Sequence, residues 1–409
     1  MKKVFPVLIA AVGLLVVAAC DNKSRTPDGS EATAAEKEMK VIIDNYLDDV
    51  VYDIYGNLAN GTGRLYEQLT ALKASAKEGK LSQEKIDEAC ATFLDARHFW
   101  EVSEAFLYGS ASDHGIDPHI DTWPLEKSTL CQQLAKAEDI KTLDEDEDAS
   151  IIGEKNLGFH AIEFILFRGG KNRSVAAFEA DDDDPDFGSA KVSGTNELIY
   201  AAAVAKDLRN YTWWLECDWD ADAPGEHLAV VEDEMEKPIG LRNGNTYGVD
   251  MSRAGEKGST YTTLQEVFVD IIGDAGCGNI ANEVANTKMA KAYTGDDPNY
   301  IESPYSKKSY QDFRDNILSC QYSLYGAYGA AAPKDHSVMT FMRGNGGKAE
   351  AEKLEKTLKA ALSALDVCCA EDHKAFVDEP KSADAKAAID KINEFNDALG
   401  EAADWFAKF

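Results

Sequence analysis

The sequence predicts an all-α protein made of two related helical bundles with a cleft between them. Apolar residues recur at helical spacing through most of the 409 positions. No stretch alternates convincingly with period two, and short motifs repeat at one fixed separation.

Amphipathic stretches run over 34–55, 83–108, 154–168, 195–217, 309–328, 349–370 and 384–408. Ser82, with Lys85 and Ile86 behind it, and Ser309, before Tyr310 and Phe313, read as helix starts. A hydroxyl there can accept from a first-turn N–H. Glycine-rich connectors occupy 239–258 and 343–347. Asp53-Ile54-x-Gly56 returns 217 positions later as Asp270-Ile271-x-Gly273, and Leu107-Tyr108-Gly109 returns at the same separation as Leu324-Tyr325-Gly326. That offset also aligns Arg97 with Arg314, His119 with His336 and Glu104 with Gln321. An internal duplication is the economical explanation. It divides the chain into one bundle over 37–250 and a second over 251–409.

The N-terminus has the pattern of a lipoprotein leader. Lys2 and Lys3 precede an apolar run from Val4 to Val17, and Val17-Ala18-Ala19-Cys20 has the form of a cleavage site ending in cysteine. On that reading 1–19 is the signal peptide, lipidated Cys20 anchors the protein to a membrane, and 20–36 is a flexible tether. The location is then the bacterial cell envelope, at the periplasmic face or the cell surface. A net charge of −31 argues against nucleic acid and anionic lipid surfaces as partners and suits cations. The acidic runs 144–148 and 181–186 lack the alternating ligands and glycine of a calcium loop, so they read as solvated loops. Seven cysteines follow Cys20 without any C-x-x-C, which leaves an odd thiol and no readable pairing.

The strongest chemical constellation is Gly158-Phe159-His160-Ala161-Ile162-Glu163. Residues three apart share a helix face, so His160 and Glu163 can point at one ion, and imidazole with carboxylate suits zinc, iron or manganese. The surrounding Ile162, Phe164, Ile165, Leu166 and Phe167 make the segment apolar nearly all round. A carboxylate buried there needs a cation, a donor or a proton. A buried His–Glu hydrogen bond, or Glu163 paired with an arginine such as Arg97, would satisfy the same pattern. Gly158 removes bulk and lets a partner approach. Neither H-E-x-x-H nor H-x-x-E-H is present, because Phe164 stands where a second histidine would be, so further ligands must come from elsewhere. Glu104 is the first candidate, on the Arg97, Glu101, Glu104 face, where Arg97–Glu101 would be an ordinary pair if exposed. Asp121, in Ile120-Asp121-Thr122-Trp123-Pro124, is the next, with Trp123 as a lid. Glu283 lies on a helix in the second half, and Glu302-Ser303-Pro304-Tyr305-Ser306 reads as a polar loop bordering the cleft. At the duplication offset Val377 and Pro380 stand opposite His160 and Glu163, so only one half carries this motif. No G-x-S-x-G, P-loop or dinucleotide fingerprint occurs.

Together these segments resemble the imelysin family. The matching stretches are 98–109 (HFWEVSEAFLYG), 120–124 (IDTWP), 158–167 (GFHAIEFILF), 283–289 (EVANTKM) and 302–326, in the family's order. The family's G-x-H-x-x-E core is present as Gly158, His160 and Glu163. The resemblance implies two helical bundles around a conserved cleft and a metal at His160 and Glu163, with Glu104 and Asp121 completing the shell. Arg97, Gly158, Trp123, Glu283 and Ser306 would line it. It also implies iron more than zinc, iron-uptake components as partners and a role in envelope uptake. Two alternatives stay open. One is a metallopeptidase in which Glu104 activates water; the other is a structural or peptide-binding lipoprotein without metal.

Overall fold

In the long helices the spacing of apolar residues fixes which face is buried. In α2 (Asp53–Lys77), Ile54, Leu58, Leu65, Leu69 and Leu72 form one inward stripe. Gly61 lets Ala96 of α3 (Gln83–Glu101) come within 3.2 Å of where its own side chain would begin. A computed structural model describes residues 32–409, and the leader, Cys20 and most of the tether lie outside the described residues.

The first half centres on α2, which packs against α3 and against α5 (Gly194–Trp219). Lying on α5 and touching α3 is the short apolar α4 (Gly158–Leu166), all nine of whose residues are buried. The second half centres on the antiparallel pair α10 (Lys348–Cys368) and α11 (Ala383–Phe406). Against this pair pack α6 (Leu264–Ile272), α7 (Cys277–Glu283) and α8 (Ser309–Tyr325). α1 (Ala34–Tyr46) reaches across to Tyr247–Ser252, to α6 and to α9 (Val338–Gly344). α3 and α8 meet where the halves join. There His98 Nδ1 lies 2.8 Å from Asp315 Oδ2, its counterpart at the 217-residue offset. Contact between equivalent positions is what an internal two-fold axis produces. Gly109 and Gly326, the glycines of the repeated motif, both take positive φ, 79° and 81°.

The all-α expectation holds, with several differences at element boundaries. The stretch 34–55 does not end there; it passes through a π-helical segment, Leu47–Tyr52, directly into α2. The stretch 83–108 stops at Glu101, followed by a 3-10 turn, Glu104–Phe106. The stretch 154–168 is helical in the α sense only from Gly158. Phe167–Arg168 (β1) leaves the helix and pairs with Lys171–Asn172 (β2), the only named strands among the described residues. Ser82 caps α3 as expected, accepting from Lys85 N–H. Ser309 starts α8 as expected, though as its first residue and not its cap: its hydroxyl donates to the Glu302 carbonyl, and Lys308 takes the cap position. The run 181–186 is not simply solvated. Asp182 is buried and accepts from Arg168 Nη2 at 2.7 Å, with Arg173 Nη2 at 3.2 Å. The seven cysteines among the described residues are free thiols. No helix among the described residues is long and apolar enough to cross a membrane.

Candidate functional site

The site forms because one backbone passes unusually close to another. Gly158 opens α4 with φ +68°, and a Cβ there would lie 1.9 Å from the Ile120 carbonyl oxygen. Only glycine fits. The approach sets Asp121, just past the helix Ile116–Ile120, beside His160 two residues into α4. His160 Nε2 is 3.1 Å from Asp121 Oδ1, an ionic contact whose angle leaves the nitrogen without a well-directed hydrogen bond. Its Nδ1 lies 3.4 Å from Glu163 Oε2. Burial opposes a charge on His160, but Asp121 and Glu163 outweigh it and push its pKa up to about 9.

Glu163 is committed elsewhere through its other oxygen. Oε1 accepts from Tyr305 N–H at 3.0 Å, Ser306 N–H at 2.7 Å and Ser306 Oγ at 2.7 Å. The loop that supplies these donors has left-handed residues at Ser303 (φ 46°) and Lys307 (φ 60°). It is also tied to the β1–β2 turn, where Gly170 N–H donates to the Tyr305 carbonyl. The arrangement fits Glu163 as the residue that docks the loop and orients His160. Its partner is not Arg97.

Arg97 instead gathers carboxylates. Its guanidinium contacts Asp121 and Glu101, and Nη2 reaches Glu302 Oε1 at 2.9 Å. Arg97 is 3% exposed and Glu101 0%, so this is a buried pair rather than a surface one. Asp121 also accepts from Trp100 Nε1 at 2.8 Å. Burial would raise Asp121, but Arg97 and His160 hold its carboxyl below the usual range. From the second half comes Lys288, which ends the π-helical segment Val284–Lys288. Its Nζ donates to Glu302 Oε1 at 3.2 Å, Asn316 Oδ1 at 3.3 Å and Glu104 Oε1 at 3.5 Å. Burial pushes Glu101 and Glu104 well above the ordinary carboxylate range, despite Arg97 and Lys288, and pushes Asp312 up to about 7.

Two sets of buried ligand atoms lie within 4.8 Å of one another: Asp121, His160 and Glu302, and then Glu101, Glu104 and Asp121. The carboxylate and imidazole donors suit iron, zinc or manganese. His160 Nε2 and Glu302 Oε2, both buried, lack hydrogen-bond partners. This donor set fits a metal ion.

Trp123 stands between two cavities. One, of about 580 Å³, is lined by Glu104, Asp117, Asp121, Glu283 and Lys288 among others. The other, of about 490 Å³, is lined by His160, Leu125, Ile301, Pro304 and Tyr305 among others. The structure therefore brings together His160, Glu163, Asp121, Glu104, Arg97, Gly158, Trp123 and Ser306, with Glu283 on the cavity rim. Sequence reasoning placed Glu302 only in a bordering loop and gave no role to Lys288, Asp312 or Asn316. The adjacent Glu302 and Ser306 were visible as one polar loop. Lys288 lay in a helical segment whose π register hides the face it presents.

A sequence profile of the family described as imelysin matches residues 51–399. The chain belongs to the imelysin family. This imelysin is 25% identical over 276 residues to iron-regulated protein A of Synechococcus elongatus. That alignment covers 67% of the chain, and the chain spans only 61% of the relative's length. In fold it is similar to a protein described as an iron-regulated protein A precursor from Parabacteroides distasonis, with a TM-score of 0.71 and 20% identity over 94% of this chain and 98% of that one. An imelysin-like protein from Psychrobacter arcticum gives a TM-score of 0.58 at 10% identity, over 90% and 94% of the two chains.

Proposed function

We propose that this imelysin is an envelope-anchored lipoprotein that binds a metal ion, iron or an iron complex, for uptake. The observation that carries the reading is an excess of buried carboxyl groups over buried cations. Glu101, Glu104, Asp121, Glu163, Glu302 and Asp312 are buried with Arg97, Lys288 and His160 as their cationic partners. With three cationic groups for six carboxyls, the surplus is carried as protons, since burial pushes Glu101 and Glu104 well above the ordinary carboxylate range and Asp312 up to about 7. A divalent or trivalent cation would displace those protons and take the carboxylates as ligands or neighbours. Asp121, His160 and Glu302 are the proposed ligands, Glu163 orients the imidazole, and Glu104 with Glu101 forms the adjoining acidic wall. Iron is favoured by the name of the Synechococcus relative. Anchoring through acylated Cys20, and delivery to iron-uptake components, complete the proposal.

The metallopeptidase alternative would use the same metal. Its candidate base, Glu104, is buried against Lys288 at 3.5 Å, which favours binding over turnover. The test is metal content and titration with Fe²⁺, Fe³⁺ and Zn²⁺ of protein lacking residues 1–20. Near-stoichiometric metal should vanish in His160→Ala and Glu302→Ala while helicity persists. Glu163→Gln should retain metal with affinity reduced roughly 10- to 100-fold. A parent protein that takes no metal at saturating iron would overturn the reading and restore the structural alternative.

A further inference from the structure

We infer that the centre takes two cations, the second a hard divalent ion on the oxygens of Glu101, Glu104 and Asp121, with Asp121 shared between them. The inference rests on the metal reading above, in which a single ion uses Asp121, His160 and Glu302 and the two glutamates are only a wall.

Ligand atoms of Glu101, Glu104 and Asp121 lie within 4.8 Å of one another, as close as those of the first set. Each set also contains a buried atom with no directed hydrogen bond. In the first these are His160 Nε2 and Glu302 Oε2. In the second it is Glu101 Oε1, which Arg97 touches at an angle that leaves it without one. Glu101 is 0% exposed, so no solvent supplies the missing partner, and an ion would. Its other oxygen accepts from Asn316 Nδ2, which fixes the carboxylate's orientation. Asp121 has an oxygen to offer on each side: Oδ1 faces His160 Nε2, and Oδ2 accepts from Trp100 Nε1 with a lone pair to spare.

The count of buried charges agrees. Glu101, Glu104, Asp121, Glu163, Glu302 and Asp312 are buried with Arg97 and Lys288. A histidine that binds metal is neutral. One divalent ion then leaves two of the six carboxyls to be neutralised by protons, and a second divalent ion takes the place of both. Space and donor type say which ion. Glu104 and Asp121 line the cavity of about 580 Å³ between the halves. At about 30 Å³ for each water, that volume holds the aqua ligands that would complete the shell. Three carboxylates with no imidazole or thiolate suit a hard cation such as Mn²⁺ or Mg²⁺. Arg97 and Lys288 stay in contact with Glu101 and Glu104, so this ion is held more weakly than the first.

The probe is Mn²⁺, followed by equilibrium dialysis and electron paramagnetic resonance on protein lacking residues 1–20. Two Mn²⁺ per chain are expected at saturation, the second roughly tenfold weaker, with the spectrum of a spin-coupled pair. Glu101→Gln and Glu104→Gln keep the side-chain shape and remove the charge. Each should hold one Mn²⁺, with the spectrum of an isolated ion and parental helicity. A parent that saturates at one Mn²⁺, lost in His160→Ala, would overturn the inference and leave the metal reading standing. So would Fe²⁺ binding without any Mn²⁺ binding. Two Mn²⁺ that persist in both glutamine variants, or that show no coupling in the parent, would place the second ion elsewhere and overturn the inference. Failure of the parent to take up either Mn²⁺ or iron would overturn both.

Discussion

A methyl group on Gly158 would meet the Ile120 carbonyl oxygen at 1.9 Å, in a backbone conformation that L side chains rarely adopt. Gly158→Ala must therefore push α4 away from Asp121. We expect a loss of about 3 kcal/mol or more in urea unfolding, together with loss of metal binding. A variant of parental stability would show that the close approach is dispensable. At this scale much of the site was legible. His160 and Glu163 declared themselves by helical spacing in an apolar segment, and that segment's oiliness forced the question of what balances Glu163. The answer, three donors from residues 305 and 306, was not legible, because it is a loop contact between positions 142 and 143 apart. Arg97 was visible as a charged neighbour of Glu101, but the spacing alone could not distinguish a solvated pair from a buried one.

Among the elements, the acidic runs illustrate how charge in sequence misleads about burial. Asp182 is held by Arg168 and Arg173 of the β1–β2 hairpin region, and Arg173 also forms a two-pronged pair with Glu197 of α5, at 2.6 and 2.9 Å. Removing one partner would strand the other in the core. Arg173→Ala should cost about 3–5 kcal/mol in chemical denaturation, whereas an exposed pair would cost well under one. In the other run, Glu147 accepts from Lys73 Nζ at 2.5 Å and Tyr66 Oη at 2.7 Å. Burial alone would raise its pKa, but these two donors more than offset it and hold the carboxyl below its ordinary value. Its stabilisation is therefore full above the unfolded carboxylate range and disappears as pH falls through the lowered value. Glu147→Gln should cost about 1–2 kcal/mol at neutral pH, with the gap to the parent closing in acid. A pH-independent gap would count against the pairing. Helix periodicity located α5, α10 and α11 almost to the residue, because long stripes average out local exceptions. The stretch 34–55 covered the π-helical 47–52 but ended short of Lys77, since a π turn shifts the stripe by one position.

At the level of the whole molecule, the buried charges come from both halves: Arg97, Glu101, Glu104, Asp121 and His160 from the first, Lys288, Glu302, Asp312 and Asn316 from the second. Neither half can close without leaving charge unpaired, so the halves should unfold together. Trp405 is the one tryptophan beyond residue 250, which makes fluorescence report mainly the first half while far-UV circular dichroism reports both. Coincident thermal transitions are expected; separated ones would mean independent bundles. The repeated motifs predict an internal symmetry from sequence, and His98 lies against Asp315, the position 217 residues on. The lengthwise reach of α1 onto the second half was not legible, because nothing in its own stripe says which surface it covers.

The same division has a consequence for the order of events during biosynthesis. Residues 97 to 163 emerge long before residues 288 to 316. Until the later segment arrives, the oily helix around His160 carries acidic and basic groups that can be kept solvated but not enclosed. The nascent first half must therefore stay open over much of its own synthesis, and closure waits for a chain more than three-quarters complete. If the proposed lipoprotein leader sends the polypeptide through a narrow secretory channel, a core that cannot shut early would aid transit.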